Sequence, residues 1–104
     1  MEVQREQLGG RTILRVSGEL DFSNVDDLQE QIQTQLTGTV EVDLSGLTFM
    51  DYSGMGMLLN VARKLASRGQ VMSVTNIPVE IRESMALVGF FHILGDIFPE
   101  NRAE

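Results

Sequence analysis

Cysteine is absent from the 104 residues, which removes disulfides and thiolate chemistry and agrees with a reducing compartment. Histidine occurs once, as His92, too few nitrogen ligands for a transition-metal site. Lysine also occurs once, as Lys64, and fifteen acidic side chains outnumber eight basic ones to give a formal charge of −7. A surface that follows phosphates needs clustered cations, so the composition disfavours nucleic acid and anionic membranes as partners. No apolar run approaches the roughly 18 residues of a membrane span, and the polar residues 1–5 carry no apolar signal segment. Direct membrane insertion is not expected, and a cytoplasmic protein is.

What is present is enough apolar material for one core: 42% of residues are hydrophobic, in a chain of single-domain length. Residues 2–8 and 11–20 read as two strands joined at Gly9-Gly10, a pair that takes the positive φ of a tight hairpin turn. Ser23 reads as the cap of a helix with Asp26 in its first turn. Val25, Leu28, Ile32 and Leu36 form its narrow apolar stripe, and the helix is expected to end near Thr37-Gly38.

Val40, Val42 and Leu44 alternate with Glu41 and Asp43, giving a strand over 39–44, followed by a loop over 45–51. A second helix is expected from Tyr52 to Arg68, stopped by Gly69. Met55, Leu58, Leu59, Ala62, Leu65 and Ala66 face inward, and Met57 and Val61 lie off that stripe on the outer side with Lys64 and Arg68. Residues 71–75 read as a strand. A third helix follows Asn76, with Pro78 in its first turn, Ile81, Met85 and Val88 inward, and Gly89 at its end. The apolar tail 90–98 packs back, with His92 as a packing residue, and 99–104 fray.

Strands alternating with helices imply right-handed crossovers. The expected fold is α/β: one domain over 1–104, built on a mixed, mostly parallel sheet of four to five strands with three to four helices. The first strand is an antiparallel edge.

In such sheets function sits in the loops at the carboxyl ends of the strands. Three qualify: residues 18–23, 49–54 and 75–77, the first two expected to be neighbours. Gly54 and Gly56 in the first turns of a helix each cost roughly 1 kcal/mol relative to alanine. They serve close approach of a partner, close packing on the chain's own sheet, or both. Asp51 is placed to cap the helix by accepting from Ser53 or Gly54, and Asp21 has no evident helix duty. Ser53 is a hydroxyl at the positive end of a helix, where a phosphate is favoured. Met57 offers an adaptable contact. No base lies near Ser53 in a nucleophilic pattern and no Gly-x-x-x-x-Gly-Lys loop occurs, so no catalytic residues, metal or cofactor are expected.

The run Asp43-Leu44-Ser45-Gly46-Leu47-Thr48-Phe49-Met50-Asp51-Tyr52-Ser53-Gly54-Met55-Gly56-Met57, with Val16-Ser17-Gly18-Glu19-Leu20-Asp21 before it, resembles the signature of the STAS domain family of anti-sigma-factor antagonists. The resemblance spans essentially the whole chain. It implies a regulator that binds an anti-sigma factor acting also as a serine kinase, gated by phosphorylation and reset by a phosphatase. It also implies that Asp21 and Asp51 lie near the partner-contact surface, and with the first turns of the second helix the candidate partner-binding residues are Asp21, Asp51, Tyr52, Ser53, Gly54, Met55, Gly56 and Met57. The family's acceptor hydroxyl follows the aspartate directly, and here that position is Tyr52, so Ser53 and Tyr52 are both acceptor candidates. The departure at Tyr52 favours an alternative: a STAS scaffold subunit without a phosphate switch, in a transporter or signalling assembly.

Overall fold

The structure, a computed structural model, describes residues 1–99; of the tail 99–104, for which fraying was expected, residues 100–104 lie outside the described residues. The element order is β1 (Glu2–Leu8), β2 (Arg11–Leu20), α1 (Val25–Gln33), β3 (Thr39–Met50), α2 (Tyr52–Ser67), β4 (Val71–Thr75), α3 (Val79–Leu87) and α4 (Phe90–Ile97). One four-stranded sheet has the order β1-β2-β3-β4. β1 is an antiparallel edge, and β2, β3 and β4 run parallel.

One face of the sheet is the core. Leu14 and Val16 of β2, Val40, Val42 and Leu44 of β3 and Met72 of β4 are essentially without exposure. They meet Leu28 and Ile32 of α1, Leu58 and Leu65 of α2, and Phe90 and Leu94 of α4 in one apolar cluster. The other face carries a charge ladder across the strands: Glu6–Arg15 at 2.7 Å and Arg11–Glu41 at 2.8 Å, with Thr75 donating to Glu41 at 2.8 Å. Ile13 lies under it, flanked in register by Glu6 and Glu41, and is 3% exposed. Long polar side chains thus cover an apolar residue with their stems.

Four boundaries differ from the sequence reading. α1 ends at Gln33, and Leu36 beyond it is exposed. The last carbonyls of α1 are met early: Thr34 Oγ1 and Gln35 Nε2 donate to Gln31 O, and Arg68 Nη1 donates to Gln33 O. The chain then turns so that Gly38 passes Gly10, close enough that a Cβ at Gly38 would lie 2.1 Å from Gly10 O. β3 does not stop at Leu44 but continues to Met50, keeping pace with β2 through two register shifts. Ser45-Gly46, which resembles a turn, is a passing point: a Cβ on Gly46 would sit 2.8 Å from Ser17 Cβ, so the glycine marks an irregularity in a strand. Val88 is the cap of α3 and exposed, not inward. The tail is a helix, α4, and His92 stands out from it with a 77% exposed side chain, Nε2 3.7 Å from the Asp96 carboxylate.

Candidate partner-binding surface at the start of α2

The ends of β2 and β3 lie side by side, Leu20 opposite Met50, so the two loops expected to be neighbours are neighbours. Asp51 joins them. Its N–H donates to Leu20 O at 3.2 Å, and its Oδ2 accepts from Phe22 N–H at 3.2 Å. Its Oδ1 caps α2, accepting from Gly54 N–H at 3.1 Å and from the Ser53 hydroxyl at 2.5 Å. The Ser53 hydroxyl, foremost, and the Gly54 and Phe22 N–H groups hold the Asp51 carboxyl below its ordinary range against the opposing effect of burial.

Asp21 does have a helix duty. Its Oδ1 accepts from the N–H and hydroxyl of Ser23, and its carbonyl accepts from Asn24 and Val25 N–H. Asn24, not Ser23, is the residue at the cap of α1, and its side chain is spent on the loop: Oδ1 accepts from Asp21 N–H and Nδ2 donates to Glu19 O. The result is a cross-bonded double loop with both carboxylates engaged. The third loop is tied elsewhere, Asn76 Nδ2 donating to Asp43 Oδ2 at 3.0 Å.

The two glycines separate. Gly54 is buried, and a Cβ there would lie 2.8 Å from Met50 Cγ and 3.2 Å from Leu20 Cδ2; Gly56 would meet nothing within 4 Å. Gly54 therefore serves the chain's own packing, and Gly56 is the one that leaves the outside of the helix bare. Met55 and Met57 are buried, at 4% and 5% exposure. The expectation of an exposed Met57 is overturned: its side of α2, with Val61, faces α1, which packs against α2. Lys64 and Arg68 reach over the same junction to Gln33.

What is exposed here is aromatic: Tyr52 (72%), Phe22 (81%) and Phe49 (48%). Phe22 and Phe49 are surface residues that pattern reasoning passed over; the signal was present, since Phe22 stands alone between Asp21 and Ser23 with no periodic apolar partner. Among the described residues no group of three or more His, Asp or Glu side chains could hold a metal, and no helix is long and apolar enough to cross a membrane.

The family model described as "STAS domain" matches residues 2–103. The chain belongs to the STAS domain family. This STAS domain is 29% identical over 98 residues to the anti-sigma F factor antagonist of Paenibacillus polymyxa, covering 90% of the chain and 84% of that protein. It is 30% identical over 96 residues to the probable sulfate transporter 3.5 of Arabidopsis thaliana, covering 86% of the chain and 15% of the transporter. Among solved structures it is similar to the anti-sigma factor antagonist SpoIIAA in its unphosphorylated form, with TM-score 0.68 and 25% identity over 83% of each chain. The phosphorylated form of SpoIIAA gives TM-score 0.67 at 25% identity, over 86% of this chain and 85% of that one.

Proposed function

We propose that this STAS domain is an anti-sigma-factor antagonist: a cytoplasmic, non-enzymatic protein that docks on an anti-sigma factor through the start of α2 and the loop before α1. The observation that carries the reading is Asp51, which caps α2 and at the same time holds Phe22 N–H. Two loops from different parts of the chain are thereby presented as one preformed surface, which lowers the ordering cost of docking. Curated and structural relatives named as anti-sigma factor antagonists support it.

In this reading the partner is also a serine kinase, and the phosphoacceptor is Ser53. Tyr52 takes the exposed position at the first turn, but its phenol oxygen lies several ångströms farther from the backbone than a serine oxygen, outside the reach of a site built for serine. The Ser53 hydroxyl sits on Asp51. Transfer of the γ-phosphoryl group of ATP to Ser53 Oγ, with loss of ADP and release of the hydroxyl proton, removes that hydrogen bond and sets about two negative charges against the Asp51 carboxylate. Cap and docking loop then loosen together, and a phosphatase restores them. Incubation with the anti-sigma-factor kinase that captures the protein and with ATP, followed by mass spectrometry, is expected to place one phosphate on Ser53 and to abolish kinase binding; a tight kinase complex without any phosphate removes the switch.

Tyr52 also favours a second reading, a scaffold STAS subunit without a switch, in line with the match to one part of a sulfate transporter. Retrieval of a transporter and no kinase on affinity capture would select it.

A further inference from the structure

β3 outruns its neighbour. β4 pairs with it over residues 39–43, whereas β2 follows it as far as Met50. From Leu44 to Met50 the side of β3 away from β2 therefore has no strand paired with it among the described residues. The chain leaves β4 through Asn76, whose φ is 53°, and Pro78. α3 then runs beside this open stretch and leaves a gap.

The gap holds two hollows, each lined by β3 or its end on one side and by α3 on the other. One, about 300 Å³, lies between Leu47-Thr48 and Val79-Glu80. The other, about 250 Å³, has Met50 and Met55 among its walls, with Phe49, Tyr52 and Ser84. They sit two residues apart along β3, the repeat at which side chains of an extended chain return to the same side. A strand edge beside a helix is the setting in which extended peptides add to a sheet, main-chain bonds giving affinity and alternate side chains giving selectivity. The charged side chains lining the two hollows are Glu80 and Asp51. The cation of α3, Arg82, is held over the Phe91 ring at 4.5 Å.

We propose that the groove between the far half of β3 and α3 seats an extended segment of the protein partner as an added strand. One large apolar side chain enters the hollow at Met50 and Met55, and a basic side chain two positions away lies along Val79 toward Glu80. This deepens the docking reading above and rests on it for the identity of the partner. It also gives the exposed Phe49 and Tyr52 rings a role: they wall the apolar hollow beside the cap of α2.

The test titrates the isotope-labelled full chain with the capped peptide Thr-Leu-Thr-Arg-Thr. It also uses a version N-methylated at the backbone positions that would donate to β3, and a version with alanine for leucine. Amide shifts are expected in residues 46–51 and 79–84, with affinity falling about tenfold for each blocked backbone bond. Ser84→Trp, at an exposed helix position on the rim, is expected to weaken the peptide and the kinase partner at least tenfold while the thermal melt is unchanged. No shifts at millimolar peptide, shifts mapping to α1 or to the charged sheet face, or indifference to N-methylation overturns the proposal. So does a concentration-dependent dimer that Ser84→Trp dissolves, because the occupant would then be a second copy. Peptide binding with full kinase affinity in Ser84→Trp overturns the assignment of the groove to the partner and leaves the antagonist reading standing. A groove that binds peptide in a chain that binds no anti-sigma factor removes that reading and leaves the groove.

Discussion

At the scale of single residues, Gly54 and Gly56 have the same identity, the same helix and opposite reasons for being glycine. Gly54→Ala places a Cβ 2.8 Å from Met50 Cγ, and the overpacking is expected to cost about 1–3 kcal/mol in urea denaturation. Gly56→Ala meets open space and is expected to stabilise by about 0.5–1 kcal/mol, while weakening the partner complex if that complex closes on the bare helix surface. A partner affinity unchanged by Gly56→Ala would remove the outer face of the first turns from the interface. Asp51→Ala is expected to cost about 1 kcal/mol for the lost cap and to free Phe22 N–H to exchange, read by hydrogen exchange at that amide. Spacing before a helix was enough to place Asp51 at the cap; its bond to Phe22, 29 positions away, has no local signature.

At the scale of elements, the second helix and the fourth strand could be read from the chain because period and punctuation agree: an apolar repeat stopped by Gly69, then a short β-branched run. α1 and β3 could not. In α1 the apolar repeat runs on to Leu36, but side-chain donors take the last carbonyls at Gln31 and Gln33, and the approach of Gly38 to Gly10 pulls the chain out of the helix. In β3 a turn-like Ser-Gly pair lies within a strand because β2 needs room there. The error over Met57 has the same origin, since one helix has two buried sides when a second helix packs against it. Met57→Ala is therefore expected to cost about 2–5 kcal/mol, whereas Leu36→Gln, at an exposed site, should stay within about 0.5 kcal/mol of the parent. Equilibrium unfolding of the two variants separates core from surface directly.

At the scale of the whole molecule, charge governs both stability and encounter. Asp43 is buried on the charged sheet face. Burial pulls its carboxyl upward, but Ser45, Asn76 and Arg15 together outweigh that and hold it low. With Asp51 also low, the unfolded chain takes up protons before the folded one as pH falls. The stability from these groups is complete above the unfolded carboxylate pKa of about 4 and is lost as pH drops through the lower folded values. Melting temperature is expected to be level between about pH 7 and 5 and to fall below about 4, with a shallower acid decline in Asp43→Asn than in the parent. A net charge of −7 also predicts that association with a partner carrying a basic segment slows as salt rises, measured as the on-rate against ionic strength.

Composition and short-range pattern determined the kind of protein by themselves: the α/β alternation, the antiparallel first strand and the glycines that close the second and third helices depend on neighbours a few positions apart. The length of β3, the burial of Met57, the division of labour between the two glycines and the open strand edge beside α3 were decided only by packing. They depend on which distant segments come to lie against each other, and no local stretch of chain carries that information.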